Sequence, residues 1–147
     1  MDIAVQVAVG AIVIVLLGFT VGPLLKLLQQ GAPLTAPESI KNKWGDLTEG
    51  DEGGWILGTL ERAFYLGAFL LNAPEAIGAW LAFKVASKWN AWSNIIAVPQ
   101  TLSGVDDLEY LIARRRWGSQ LLMTFLVGTL WNILIALLGF AAGRWAA

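Results

Sequence analysis

From Ile3 to Leu25 the chain carries no charged side chain, and Gln6 and Thr20 are its only strongly polar ones. A helix needs about 20 residues to cross a hydrocarbon core of roughly 30 Å, so this run is long enough to span a bilayer. Asp2 precedes it with no Lys or Arg, and the run is too long for a signal-peptide core. It reads as a retained first helix. Composition agrees: 56% of the 147 residues are apolar and 14% are charged, whereas soluble domains carry about a quarter charged residues. The expected fold is therefore an all-α integral membrane protein, a four-transmembrane-helix bundle with short interfacial helices, in a single domain spanning 1–147.

That run is the first of four apolar segments, with spans about 3–28, 55–72, 75–92 and 117–143 and loops 29–54 and 93–116. Pro23 is expected to kink the first, because its ring removes a backbone donor. In the first loop, Thr35 to Glu38 fits a capping box with Pro37 early in a short helix that Gly45 stops after Trp44. The acidic run Glu49, Asp51, Glu52 lacks the alternating ligand spacing of a calcium loop and reads as solvated chain. Asn72-Ala-Pro-Glu75 is so short a connection that segments two and three form an antiparallel hairpin. Ser103 to Asp106 resembles another cap. Val105, Leu108, Ile112 and Arg115 then repeat at helical spacing, either along the membrane surface or leading directly into the last span.

Charge asymmetry sets the orientation. The two loops and the span ends facing them collect Lys26, Lys41, Lys43, Lys88, Arg114, Arg115 and Arg116, while the other side has Arg144. Positive residues stay inside, so the loops are expected to be cytoplasmic and both termini outside, in the cytoplasmic membrane of a prokaryote. Trp55, Trp89, Trp92 and Trp117 all fall at span ends on the loop side. That placement suits an interfacial belt, where the indole ring sits in the acyl region and its N–H among headgroups.

Lipid tails are as apolar as Leu, so helices in a membrane associate by close packing and polar contacts. Gly18/Gly22, Gly54/Gly58 and Gly139/Gly143 are small-residue pairs at GxxxG spacing. Packing within the chain explains them more simply than dimerisation. Gly58, Glu61, Tyr65, Ala68 and Asn72 form one stripe of segment two; Gly128, Asn132, Ala136, Gly139 and Gly143 form another on segment four.

The residues that most need a partner are the charges inside spans: Glu61, Arg62 and Lys84, with Glu75 at the start of segment three. Each costs about 3 kcal/mol near a helix centre and should face protein or water. Glu61 and Lys84 lie at nearly equal distances in sequence from Ala73 at the hairpin tip, hence at nearly equal depth. An ion pair is the natural inference, but azimuth opposes it. Lys84 lies about 200° around the helix from Ala82. If the small face Gly78, Ala79, Ala82, Ala86 meets segment two, Lys84 points elsewhere and snorkels to headgroups. Arg62 points about 100° away from Glu61, toward another helix, a neighbouring subunit or the interface. Glu75 in a first turn is best read as a partner for the helix dipole.

The run Leu57-Gly-Thr-Leu-Glu61-Arg62, followed by Ala76-Ile-Gly78 and Ala82-Phe-Lys84, resembles a hairpin in an uncharacterised family of small prokaryotic multi-pass membrane proteins. The resemblance covers roughly residues 55–90. It implies no activity and singles out Glu61, Arg62 and Lys84.

Without His or Cys the chain lacks the commonest general base, the commonest metal ligand and all thiolate chemistry. No nucleophile–base pair is recognisable, so neither catalysis, a metal nor a cofactor is expected. A net charge of −1 argues against a nucleic-acid partner. The partners expected are the lipid bilayer and either further copies of the chain or other membrane subunits. Two functions stay open: an oligomer that forms or gates an ion or small-solute path, and an assembly or accessory subunit.

Overall fold

The computed structural model describes residues 2–31, 52–96 and 105–147. The two capping-box sequences, the short helix before Gly45 and the acidic run from Glu49 to Asp51 lie wholly or partly outside them. Every regular element among the described residues is a helix: α1 Ile3–Gly18, α2 Val21–Gly31, α3 Glu52–Leu70, α4 Glu75–Ile96 and α5 Val105–Ala146. The Asp2 carboxylate caps α1 by accepting from the Ala4 N–H at 2.9 Å, which answers one of the unpaired donors of the first turn.

The first apolar run is broken rather than merely kinked, and the break lies at Phe19–Thr20. That position follows from Pro23. A proline cannot donate to the carbonyl four residues back and its ring collides with it; here that carbonyl belongs to Phe19. The Thr20 hydroxyl donates to the Leu17 carbonyl at 2.6 Å and accepts from the Trp131 indole N–H at 2.9 Å, which fastens the break to α5. Thr20→Val removes both bonds at similar volume. It is expected to lower stability by about 1–2 kcal/mol, read as an earlier midpoint of unfolding by dodecyl sulfate in mixed micelles; an unchanged midpoint would show that the break stands without this latch.

The α3–α4 connection is a Schellman ending. Asn72 takes φ 54°, the Ala73 N–H reaches the Ala68 carbonyl at 2.9 Å and the Asn72 N–H the Phe69 carbonyl at 3.2 Å, pairing carbonyls that the helix end would leave open. Asn72 is therefore an exposed cap residue and not the last member of a packing stripe. The amphipathic stretch from Val105 is continuous with the last span. At 42 residues α5 is roughly 63 Å long.

Helix α1 runs antiparallel to α5. Gly10 meets Gly139, Gln6 meets Gly143, and Leu25 of α2 reaches Gly128. An added Cβ would lie 3.0 Å from the Gly10 carbonyl oxygen at Gly139 and 2.6 Å from that of Gln6 at Gly143, so this small-residue pair brings two backbones together within the chain. Phe69 and Phe140, with ring centres 5.8 Å apart, set the end of α3 beside the end of α5. Both ends of the chain and the hairpin turn thus share one end of the bundle. The core consists of Ile14, Tyr65, Leu66, Ala68, Ile77, Ile135 and Ala136.

Polarity is inverted relative to a soluble bundle. Gln6, Glu61, Arg62, Thr129 and Asn132 are buried, whereas Leu16, Phe19, Leu60, Phe83, Leu130 and Leu138 are exposed. Two helical runs are long and apolar enough to cross a membrane, Ile3–Leu27 and Leu122–Ala146. Only 17% and 28% of their most apolar windows are buried, less than the core helix of a soluble protein would bury.

Candidate functional site

Thr59, Glu61 and Arg62 of α3 carry the centre of one polar cluster. Glu61, 2% exposed, accepts from three donors: Lys84 Nζ at 2.6 Å, Trp80 Nε1 at 3.3 Å and Asn132 Nδ2 at 3.3 Å. Lys84 also donates to the Thr129 hydroxyl at 2.7 Å and lies 4.7 Å from the centre of the Phe125 ring. Arg62, 5% exposed, donates through Nη1 to Asn132 Oδ1 and through Nη2 to Thr59 Oγ1, both at 2.9 Å. Asn132 therefore spans the two charges, giving its amide N–H to Glu61 and its oxygen to Arg62. A carboxylate with three donors is well compensated for leaving water.

Arg62 is less fully matched. Its Nε is buried without a hydrogen-bond partner, and Glu61, its neighbour in sequence, is engaged by Lys84. The guanidinium lies between two glycines: an added Cβ would come within 3.1 Å of it at Gly18 and 3.6 Å at Gly58. Gly18, half of a GxxxG pair, makes room for the arginine, whereas at Gly58 an added Cβ would be in ordinary contact with Arg62 and with Asn132 of α5.

The cluster forms the floor of a cavity of about 530 Å³ between α2, α3, α4 and α5. Glu61, Arg62, Lys84, Thr129 and Asn132 line its inner end; Val21, Leu25, Leu57 and Phe125 are among its apolar walls. Gly54, Trp55 and Thr124 lie at its outer end, away from both ends of the chain. Gly22 also faces it, with nothing within 4 Å of an added Cβ. Below the floor, Tyr65, Leu66 and Ile135 fill the interior, and Gly139 and Gly143 clamp α5 onto α1. Among the described residues the cavity is thus backed by solid packing on the side of the chain ends.

Of the residues singled out in the sequence, Glu61, Arg62, Lys84, Gly58 and Asn132 meet here, with Tyr65 buried one turn further along α3. Glu75 is exposed in the first turn of α4, remote from the cluster. Trp89, Arg115 and Arg116 are exposed, and Trp55 is exposed at the cavity mouth. The side chains of Trp92, Arg114 and Trp117 lie outside the described residues. Lys84 reaches Glu61 because the small face of α4 is turned outward: Gly78, Ala79, Ala82 and Ala86 are exposed, while Ile77 is buried and Trp80, Leu81 and Lys84 are partly covered. Thr59, Trp80 and Thr129 were not evident as partners beforehand. Each sits three or four residues before Arg62, Lys84 or Asn132, on the same helix face, and that spacing was the available signal.

Among the described residues no group of three or more His, Cys, Asp or Glu could hold a metal ion. No family model matches the chain, and neither the curated proteins nor the solved structures give a match.

Proposed function

We propose that this is a non-enzymatic membrane protein of four spans that admits an ion or small solute to a charged station within the bilayer. The observation that carries the reading is the cavity lined by Glu61, Arg62 and Lys84. Intramembrane charge that faces a cavity is functional by default, because lipid penalises it and packing alone does not require it. Four spans rather than two are supported by length and by azimuth. The 19 residues of α3 and 22 of α4 are roughly 28 and 33 Å long. Their exposed sides, including Ile56, Leu60, Phe64, Ala82, Phe83 and Val85, are apolar, while Glu61, Arg62 and Lys84 turn inward and the exposed Glu75 and Lys88 lie toward the two ends of α4. On the charge-asymmetry argument the mouth faces the cytoplasm of a prokaryote and both ends of the chain lie outside.

The test is flux through protein reconstituted in liposomes. Solute movement above protein-free vesicles is expected, and Gly22→Phe, which adds a ring at a cavity-lining position whose Cβ would meet nothing within 4 Å, should abolish most of it. No flux from folded protein, or flux indifferent to Gly22→Phe, would overturn the reading. One observation favours an assembly subunit instead: the outward face Gly78, Ala79, Ala82, Ala86 would let another helix approach closely. In that case flux is absent and a crosslinker placed at Ala82 captures a second chain, whether another copy or a different subunit.

A further inference from the structure

Charge balance at the floor narrows what the cavity can hold. Among the described residues that line it, Glu61 is the sole carboxylate, facing two cations, Arg62 and Lys84. One positive charge is left over. The surplus sits on Arg62: Lys84 has Glu61 within 2.6 Å, and among the described residues no carboxylate forms a salt bridge with the guanidinium. A guanidinium has five N–H donors. Two bonds to neutral oxygens, from Asn132 and Thr59, are accounted for, and Nε has none although Arg62 is 95% withdrawn from the surface. One carboxylate shared between two cations leaves the buried cluster under-neutralised, which is costly, and planar oxyanions are what a guanidinium fork matches best.

Size and lining supply the remainder of the ligand. Around 530 Å³ is the volume of a site for a small organic molecule. The walls above Arg62 are Val21, Leu25, Leu57 and Phe125, so the body that fills them is apolar. We propose that the cavity binds a monoanion: a single carboxylate or phosphodiester group set against Arg62, carried on an aliphatic or aromatic body lying between α2 and α3. This rests on the solute-station reading and names the class of solute. The same chemistry has two sources, a free organic acid or an anionic phospholipid headgroup.

Calorimetric titration of the full chain in uncharged maltoside micelles distinguishes these. Octanoate is expected to bind saturably, and octanamide and octylammonium, of the same chain length, to bind at least tenfold more weakly. Charge-assisted hydrogen bonds are worth enough for Arg62→Gln to weaken octanoate about 10- to 100-fold. Gly22→Phe should abolish binding with the thermal midpoint of the protein retained, which separates occlusion from misfolding. Phosphatidylglycerol that competes with octanoate identifies a lipid headgroup as occupant; phosphatidylglycerol that does not compete leaves the free acid. Equal binding of octylammonium, or octanoate binding indifferent to both variants, overturns the proposal. Octanoate bound without any flux would sink the conduction reading and leave the anion site standing. Cation flux that Gly22→Phe blocks, without octanoate binding, would do the reverse.

Discussion

Replacing Glu61 with Gln is expected to cost about 3–5 kcal/mol of stability, the range found when one member of a buried charge pair is lost and the other remains. The geometry predicts an asymmetry within the pair. Removing Glu61 leaves Arg62, on Asn132, and Lys84, on Thr129, in one cluster with no counter-charge. Removing Lys84, as in Lys84→Met, leaves Glu61 still held by Trp80 and Asn132 beside Arg62, with no net charge at the floor. That variant should cost only about 1–2 kcal/mol. The double variant should be more stable than the sum of the two losses implies, by about 1–3 kcal/mol, because contacting residues do not behave additively. Unfolding by dodecyl sulfate in mixed micelles measures all three. Additive losses would show that the two side chains do not interact directly, and equal single losses would remove the charge-balance argument.

The second large effect concerns Gly143, where the usual direction of a Gly→Ala change in a helix should reverse. Alanine inside a helix is ordinarily worth about 0.5–1 kcal/mol more than glycine. Gly67 and Gly78 have nothing within 4 Å of an added Cβ, so Ala there should be neutral or stabilising. At Gly143 the added atom would fall 2.6 Å from the Gln6 carbonyl oxygen and 3.1 Å from its Cα. Backbone cannot turn away as a side chain can, so α1 and α5 must separate along their closest contact. Overpacking of that kind costs about 1–3 kcal/mol. Loss at Gly143→Ala with no loss at Gly78→Ala is the expected pattern; movement of both in the same direction would show that the close approach does not limit stability.

Depth was readable from the sequence at this site, and azimuth was not. Glu61 and Lys84 sit at matched distances from the hairpin tip, and the tip is fixed by Pro74 and Glu75, so equal depth followed from chain geometry alone. The face of α4 was harder because the small residues pointed the wrong way. On the four-span proposal that strip faces lipid, where Gly and Ala suffer no exposure penalty that would drive them inward. A lysine midway along the helix does suffer one, so Lys84 sets the rotation and Gly78, Ala79, Ala82 and Ala86 follow. Similar reasoning places the break in the first run: the sequence marks Pro23, but the collision falls on Phe19 one turn earlier. Asn72 continued the α3 stripe on paper because periodicity does not register where a helix ends. The cavity was invisible for another reason. It is bounded by four helices whose lining residues are scattered from Gly18 to Asn132, and no local pattern encodes the space between them.

The continuity of α5 has a mechanical consequence. The helix has no break between Val105 and Ala146, and it is clamped at one end where Gly139 and Gly143 meet α1. About that clamp it is a lever. Thr129 and Asn132, which hold Lys84 and Arg62, lie some 15–20 Å along it, and Leu108 lies roughly 50 Å along at 1.5 Å per residue. Leu25 at Gly128 and Thr20 at Trp131 brace α5 beside the cavity floor, so a displacement of the far arm bears on those two contacts and on the floor together. An ångström at Thr129 is enough to part a hydrogen bond from its acceptor, so whatever grips the arm has leverage on the charges.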